Sequence, residues 1–315
     1  MAVCDSDAER AAQAGTQWGV QHYTSYEKML KDAKADIVTI ATPSGLHAEQ
    51  GIAAANAGKH VVMEKPMAIS LTGADSLVHA CDKAGVQLFV VKQNRLNPSI
   101  QLLKRAVDNG RFGRIYLANT TVRWNRPQEY YDSAPWRGTW EFDGGAFMNQ
   151  ASHYVDLIQW LVGPVESVVA KTATQARRIE AEDSGVAVLK FRNGAIGVIE
   201  VNVLTYPRNW EGSISIIGEK GSAKIGGTAV NKVEHWAFAD PDDDDKLIES
   251  ASTNPPSIYG FGHEGYYRNV LSVLRGEAQA ETDGRAGRKS LELILGIYES
   301  AKTGRDVPLP LRSSL

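Results

Sequence analysis

The stretch ADIVTIATPSGLHAEQGIAAANAGKHVVMEKP, residues 35–66, decides the fold. It contains an apolar run, a helical pattern that ends at Gly58, and a second apolar run that ends in Glu64-Lys65-Pro66. Glycine after a helical pattern is the common left-handed helix stop. Strands that are apolar throughout are covered on both faces, which is typical of parallel strands joined by crossover helices. The stretch therefore predicts a βαβ unit of a parallel sheet.

The same alternation of strand and helix continues on both sides of this unit. MAVCD (1–5) predicts a strand and SDAERAAQAG (6–15) a helix. Further along, residues 70–85 predict a helix that ends at a glycine, and VQLFVVKQN (86–94) predicts another strand. This pattern is typical of a Rossmann-type, doubly wound parallel sheet. We expect a dinucleotide-binding domain over residues 1–95.

Residues 96–315 follow a different pattern. SGVAVLKF (184–191) and AIGVIEVNV (195–203) alternate in polarity and are joined by Arg192-Asn193-Gly194. Asn-Gly between two alternating runs is a strong signal for a β-hairpin. Helical patterns flank these strands, so we expect a substrate-binding and oligomerisation α+β domain with a largely antiparallel, open-faced sheet.

The predicted dinucleotide domain lacks its usual opening. Such a domain starts with a strand and a G-x-G-x-x-G loop, about 20 residues before an acidic residue that binds the ribose. Here the acidic residue, Asp5, comes at once and no such loop precedes it. We expect an N-terminally truncated sheet without its first strand, glycine loop and first helix. The missing strand would lie between residues 2–5 and 36–42.

Composition excludes several other classes of protein. The net charge of −3 provides no basic field for nucleic acid. Two cysteines, Cys4 and Cys81, are too few for a disulfide framework or a thiolate metal site, and we expect no bound metal. The apolar runs are too short to span a bilayer, and we expect no signal sequence. We expect a soluble, cytoplasmic protein.

Two motifs are the basis of a family resemblance. ATPSGLHAEQ (41–50) followed by Glu64-Lys65-Pro66, and GGAFMNQASHYVDL (144–157), resemble the signatures of the glucose–fructose oxidoreductase/inositol dehydrogenase family. Residues 92–95, 126–168 and 204–207 are similar to UDP-N-acetylglucosaminuronate 3-dehydrogenases. The resemblance covers essentially the whole chain. It implies NAD-dependent oxidation of a sugar hydroxyl.

Lys65, His153 and Asn149 are the candidate catalytic residues. Lys65 follows an apolar strand at the end where such sheets bind ligands, although a lone lysine in a turn is more often a surface residue. His153 and Asn149 lie four residues apart and share one helix face, and histidine is suited to take a hydroxyl proton. The resemblance makes Lys65 and His153 the acid–base pair. Many relatives have Asp in place of Asn149, so we expect Asn149 to position and not to act as a base.

The cofactor is expected to be NAD. Asp5 would accept from the ribose hydroxyls and repel a 2′-phosphate, although a helix-capping Asp is the alternative. The resemblance implies a cofactor lining made of Thr42, Pro43, His47, Glu64, Lys65 and Gln93, with Trp136, Arg137 and Tyr267 from the second domain.

The substrate is expected to be a UDP-sugar uronic acid, which presents a carboxylate and a pyrophosphate. Guanidinium groups match both, so Arg95, Arg123, Arg126 and Arg137 are candidates. The remaining candidate substrate contacts are Lys65, Lys92, Asn94, Asn149, His153 and the rings of Tyr130 and Tyr131.

These expectations together describe one reaction. A hydride passes from the 3-hydroxyl carbon to NAD, giving a 3-keto nucleotide sugar for surface polysaccharide or lipopolysaccharide biosynthesis. The resemblance implies 2-oxoglutarate as the oxidant of bound NADH. Two alternatives stay open: another sugar or cyclitol as substrate, or a non-catalytic sensor, against which Lys65 and His153 argue. We expect a homo-oligomer that forms through the exposed sheet face, with helices of the same chain as the alternative cover for Ile199, Val201 and Val203.

Overall fold

The computed structural model describes residues 1–254 and 260–311. Its first part has five short strands, which are β1 (Ala2–Cys4), β2 (Gln21–Tyr23), β3 (Ile37–Ile40), β4 (His60–Met63) and β5 (Leu88–Val90). Its helices are α1 (Ala8–Trp18), α2 (Tyr26–Asp32), α3 (His47–Asn56) and α4 (Leu71–Ala84). The helix stops predicted at glycine are confirmed for α4, where Gly85 has φ 68°. The short, largely exposed β2 was not predicted, because QHY has no apolar run.

The five strands form two parallel sheets. β1 pairs with β2, and β3, β4 and β5 pair in that order. In the described part of the chain no strand lies between β1 and β3, and each of them pairs on one side only. This is the place where the sequence predicts a further strand, and that expectation stays a prediction.

The second part is built on one eight-stranded sheet. Its strands are β6 (Ile115–Arg123), β7 (Val165–Ala173), β8 (Ser184–Phe191), β9 (Ile196–Asn202), β10 (Glu211–Gly218), β11 (Gly221–Gly226), β12 (Lys232–Phe238) and β13 (Val307–Pro308). Their order is β12-β11-β10-β6-β9-β8-β7-β13. Only β6 and β9 pair in parallel among these described strands, which confirms a largely antiparallel sheet. The predicted hairpin at 192–194 joins β8 and β9.

Helices of the same chain cover one face of this sheet. The helices of this part of the chain are α5 (Pro98–Asp108), α6 (Gln128–Asp132), α7 (Ser152–Val162), α8 (Ile248–Ala251), α9 (Gly262–Leu274) and α10 (Gly284–Thr303), and the cover is formed chiefly by α7 and α10, which pack directly on the strands. Ile199 and Val201 are buried beneath them. On the opposite face Val188 is 48% exposed and Ile196 53% exposed. The alternation in β9 therefore predicted the covered face correctly, and the other face is open.

The C-terminal helices return to the first sheet. Thr282, just before α10, exchanges hydrogen bonds with the backbone of Val90 in β5. Tyr266 and Val270 of α9 pack on Phe89 and Val91. The apolar core is therefore continuous across residue 95. None of the described helices is both long and apolar enough to cross a membrane.

Candidate active site

The loop after β4 meets the loop before α7 at Lys65. The Lys65 ammonium donates to the backbone carbonyl of Asn149 at 2.8 Å and to its side-chain oxygen at 3.0 Å. Burial lowers the pKa of Lys65, while the charges of Glu64 and Asp143 oppose that shift. Two segments 84 residues apart in sequence thus place a partly desolvated ammonium at the carboxyl end of a parallel strand.

Asp143 fixes the orientation of Asn149. Asp143 is 1% exposed, accepts from the backbone of Gly138 at 2.8 Å, and also accepts from the side-chain nitrogen of Asn149. The Asn149 amide therefore turns its oxygen to Lys65. Sequence reasoning missed Asp143, because it lies in an irregular loop with no periodic pattern to indicate which way it points.

His153 is buried in the first turn of α7. It is 8% exposed, and its Nδ1 has no hydrogen-bond partner in the described residues. Burial lowers its pKa well below the ordinary value, and the charges of Lys65, Lys92 and His263 add to this. The imidazole is therefore neutral near pH 7, which is the form that can accept a proton.

Arg95 lies in a buried network with Asp156 and Ser290. The Nε and Nη2 of its guanidinium donate to the two oxygens of Asp156 at 2.7 Å each, and Ser290 donates to the same carboxylate at 2.6 Å. The sequence predicts that Arg95 contacts the substrate, but in the structure the Asp156 carboxylate neutralises its charge. Its neighbour Lys92 donates to the carbonyl of Ser152 at 3.2 Å, and burial lowers its pKa to about 8.

His47 connects the turns that follow β3 and β4. Its two ring nitrogens lie 2.7 Å from the carbonyl oxygen of Pro66 and 2.8 Å from that of Thr42. It is 1% exposed, and burial lowers its pKa. A neutral imidazole donates to only one of these two carbonyl oxygens, and in either tautomer the ring lies between the two turns and supports the one that presents Lys65. The cofactor contact expected of His47 stays a prediction.

The other predicted cofactor residues lie around the strand ends. Asp5, after β1, bonds to Arg10 at 3.0 Å and to the backbone of Asp7 at 2.9 Å, and remains partly exposed. Thr42 is exposed and donates to Gln50 at 2.7 Å, and Pro43 follows it. Glu64 accepts from the backbone of Lys65. Tyr267 of α9 is 39% exposed and lies close to Thr39 and Glu64.

Gln93 and Asn94 are buried beyond β5 with unsatisfied side chains. Gln93 Oε1 and Asn94 Oδ1 have no hydrogen-bond partner in the described residues. Buried polar atoms are normally paired, so orphaned oxygens near a site indicate atoms that a ligand can satisfy.

An aromatic and cationic cluster lies beside this site. Arg137 donates to the Tyr130 hydroxyl at 2.7 Å, and its guanidinium stacks 4.3 Å from the centre of that ring and 4.5 Å from Trp136. Arg126 stacks on Tyr130 at 5.4 Å, and its charge lowers the pKa of Lys65. No carboxylate pairs with either guanidinium in the ion pairs of the described residues.

Two other predicted substrate contacts point elsewhere. Arg123 donates to Glu200 at 2.7 Å and to Glu211 at 2.9 Å, so its charge is neutralised within the sheet. Tyr131 is 5% exposed and belongs to the core. Among the predicted substrate contacts, Arg126 lies close enough to Lys65 for its charge to lower the pKa of Lys65, and Arg126 stacks on the Tyr130 ring.

Gly45 determines how closely the loop of residues 139–149 approaches the first sheet. Its backbone N–H donates to the carbonyl of Phe142 at 3.1 Å. A Cβ at this position would lie 2.2 Å from the Glu141 carbonyl oxygen, so only glycine allows the approach.

The side chains of this site fit an external hydride acceptor. Lys and His can move protons and Asn can hold a hydrogen bond, but none of them can accept a hydride, and no group of three potential metal ligands occurs in the described part of the chain. Gln93, Asn94 and His153 each have a buried polar atom without a partner in the described residues, and a bound nicotinamide dinucleotide would supply one. A separate cavity of about 650 Å³ is lined by Arg95, Asp156 and Trp160 but not by Lys65 or His153.

A dinucleotide-type sheet with a buried lysine at a strand end, and a neutral histidine from a helix of the second domain within reach of its charge, is the arrangement of an alcohol-oxidising oxidoreductase. The chain belongs to the GFO/IDH/MocA oxidoreductase family: residues 1–92 match its NAD-binding Rossmann fold and residues 104–309 its C-terminal alpha/beta domain. This confirms the family resemblance, the fold class and NAD as the cofactor.

Three relatives are informative. The WlbA dehydrogenase from Bordetella pertussis, solved in complex with NADH and UDP-GlcNAcA, is 56% identical over 99% of this chain and 90% of its own, with a TM-score of 0.97. The WlbA enzyme from Chromobacterium violaceum, solved with the same two ligands, is 55% identical over 99% of this chain and 88% of its own, with a TM-score of 0.95. Levoglucosan dehydrogenase from Pseudarthrobacter phenanthrenivorans is 27% identical over 82% of this chain and 73% of its own length.

Proposed function

We propose that this protein is an NAD-dependent dehydrogenase that oxidises the 3-hydroxyl carbon of a UDP-N-acetylated glucuronic acid. The observation that carries the proposal is the junction of Lys65 with Asn149 beside a neutral His153. Similarity to two WlbA dehydrogenases solved with NADH and UDP-GlcNAcA supports this choice of substrate.

Lys65 and His153 divide the proton chemistry. NAD, when bound, supplies the hydride acceptor. The Lys65 ammonium holds the sugar hydroxyl oxygen and favours its alkoxide-like form, and the neutral His153 takes the hydroxyl proton. Hydride leaves the same carbon, so the alcohol becomes a ketone and loses one hydride and one proton. Asp143 and Asn149 keep the ammonium in place without touching the reacting carbon.

Arg126, Arg137 and Tyr130 are the proposed partners of the anionic part of the substrate. The two guanidinium groups have no carboxylate partner in the ion pairs of the described residues, both stack on the Tyr130 ring, and the charge of Arg126 acts on Lys65. Guanidinium groups bind carboxylate and phosphate oxygens in pairs. The proposed substrate presents both kinds of oxygen, in its uronic acid carboxylate and in its pyrophosphate.

Absorbance of reduced nicotinamide at 340 nm tests the proposal. UDP-N-acetylglucosaminuronate mixed with NAD should raise the absorbance, whereas UDP-N-acetylglucosamine, which lacks the carboxylate, should give much less. Sustained turnover on addition of 2-oxoglutarate would support our proposal that 2-oxoglutarate reoxidises bound NADH. A faster reaction with a free sugar or cyclitol would replace the substrate, and the absence of any reduction would leave the sensor alternative.

Residues 1–95 are proposed to bind the dinucleotide, and residues 96–315 to bind the sugar and another subunit. The open face of the large sheet supports a second copy as the occupant, because cross-strand pairs align its apolar side chains. Val169 pairs with Val188, and Leu117 lies between Ile196 and Ile217. Val188→Glu should shift the protein to a smaller species in sedimentation. We place the enzyme in the cytoplasm, on a route to surface polysaccharide or lipopolysaccharide.

A further inference from the structure

The loop that presents Asn149 rests on Glu182, an acid that the proposed proton chemistry does not use. Glu182 is 3% exposed and lies just before β8. Its Oε1 accepts from the backbone N–H of Phe147 at 2.8 Å and from the hydroxyl of Tyr298 at 2.9 Å. Its backbone carbonyl accepts from the N–H of Ala146 at 3.0 Å.

Tyr298 of α10 extends this contact along the loop. Its hydroxyl accepts from the backbone N–H of Gly145 at 3.3 Å and of Met148 at 3.1 Å. The N–H groups of four consecutive residues, 145–148, therefore all end on Glu182 or Tyr298. Buried backbone donors need partners, so these two residues determine the path of the loop.

The loop has no free space against Glu182. A Cβ on Gly145 would lie 1.7 Å from Glu182 Oε2, so the glycine backbone packs directly on the carboxylate. The carbonyl of Gly145 in turn accepts from the N–H of Asn149 at 2.9 Å. A displacement at Glu182 is therefore passed to Asn149 within one turn.

We propose that Glu182 and Tyr298 are positioning residues for the reaction, acting through the 145–148 backbone on Asn149 and, through it, on the Lys65 ammonium. The inference rests on the proposed dehydrogenase function and adds to it two residues that contact neither the sugar nor the nicotinamide. It explains why an acid is buried beneath a loop that needs hydrogen-bond acceptors.

The charge of Glu182 provides a signature that a merely structural role would not produce. Burial raises its pKa to about 7. The titratable groups that act on it do not ionise in this range, because backbone hydrogen bonds lower the pKa of Asp183 despite its burial, and burial raises the pKa of Tyr298. The ionised carboxylate makes the stronger bonds to the loop. We therefore expect kcat to fall as pH drops through about 7.

Three substitutions separate the contributions of these two residues. Glu182→Gln keeps both accepted bonds and removes the charge, Glu182→Leu removes both bonds, and Tyr298→Phe removes the hydroxyl. A displacement of ~1 Å at a reacting group costs up to about 100-fold in rate. We expect kcat to fall by about 100-fold in Glu182→Leu and by roughly tenfold in Tyr298→Phe, with the KM for NAD within about twofold of wild type. Glu182→Gln should lose the inflection near pH 7.

Ser300→Ala is the matched control. Ser300 lies one turn or less from Tyr298 in α10, and its hydroxyl links the backbones of Ala170 and Arg305 away from the loop. It should lower stability without changing kcat, the pH profile or hydrogen exchange of the 145–148 amides.

Two measurements do not depend on turnover. Amide hydrogen exchange over residues 143–150 should speed up in Glu182→Leu and Tyr298→Phe, and Lys65 should react faster with a limiting amine reagent because its contact to Asn149 is loosened. If the wild type reduces no NAD, the proposed function fails, while these two measurements still decide the positioning role. Unchanged exchange and Lys65 reactivity, an equal kcat loss in Ser300→Ala, or a persisting inflection in Glu182→Gln would each overturn the inference.

Discussion

Lys65 and Asn149 meet at two points, since one ammonium donates to both the backbone carbonyl and the side-chain oxygen of the same asparagine. Asp143 accepts from the other end of that amide and decides which end faces Lys65. The ammonium is thus aimed by a carboxylate that it does not touch. This indirect arrangement leads to the first prediction.

The hydrogen bond between residues 143 and 149 should be lost in each single variant and restored when the two residue types are exchanged. Asp143→Asn places an amide nitrogen against another N–H donor, and Asn149→Asp places two carboxylates together. Each should lower kcat/KM by about 10- to 100-fold, the value of a hydrogen bond to a charged group of about 1.5–3 kcal/mol. In the double variant the new amide at position 143 can donate to the new carboxylate at position 149 and still accept from the N–H of Gly138. The kcat/KM of the double variant should return to within about fivefold of wild type; losses that simply add would contradict the arrangement.

The alkaline limb of the pH profile should move in opposite directions in two variants. Lys65 works as the ammonium, and burial lowers its pKa, so activity is lost as pH rises through that value. Asp143 opposes the shift and Arg126 adds to it. Arg126→Gln should move the limb to higher pH and Asp143→Asn to lower pH, as measured by kcat/KM between about pH 7 and 10.5. If the alkaline limbs of the two variants moved in the same direction, Lys65 would not be the titrating group.

Arg126 and Arg123 should differ in their effect on substrate binding. Arg126 has no carboxylate partner in the ion pairs of the described chain, whereas Arg123 is neutralised by Glu200 and Glu211. Arg126→Gln should raise the KM for UDP-N-acetylglucosaminuronate by about 10- to 100-fold, the value of a charge-assisted bond. Arg123→Gln should leave this KM within about twofold and lower the melting temperature. The reverse pattern would place the substrate anion on Arg123.

Local patterns predicted much of the fold and part of the site. The apolar run of β4 placed Lys65 at a strand end, and the alternation in β9 identified the buried face. Asn193-Gly194 predicted a hairpin because the preference of Asn-Gly for a tight turn is local and needs no distant partner. These elements depend on neighbours in sequence, so the sequence predicts them.

Long-range partners could not be predicted in this way. Arg95 was expected on the substrate, but its partner Asp156 lies 61 residues away, and nothing near either residue indicates the pairing. Glu182 reaches Phe147 across 35 residues, and only the packing of β8 against the loop brings them together. Arginines that bind ligand and arginines that bind protein have the same local sequence signal.

The buried pair of Arg95 and Asp156 should be a major contribution to stability. Their side chains are 8% and 2% exposed, and Ser290 completes the contacts of the carboxylate. Breaking a buried pair by removing one partner costs about 3–5 kcal/mol, because the other charge is left uncompensated. Asp156→Asn should therefore lower the free energy of unfolding by that order in urea titrations at pH 7. Glu166→Gln, which breaks the exposed pair with Lys190, is the control and should change it little.

The pH dependence of unfolding distinguishes this pair from a generic loss of packing. Burial opposes ionisation of Asp156, but the charges of Arg95 and Lys92 and two hydrogen bonds outweigh it, so its pKa lies below the ordinary value. A carboxyl group with a lowered pKa in the folded state stabilises the protein above its unfolded pKa and loses that contribution as pH falls. Wild type should therefore lose more free energy of unfolding than Asp156→Asn on going from pH 6 toward pH 3, so the two curves converge at low pH. Parallel curves would mean that the loss in Asp156→Asn comes from packing and not from the charge of the pair.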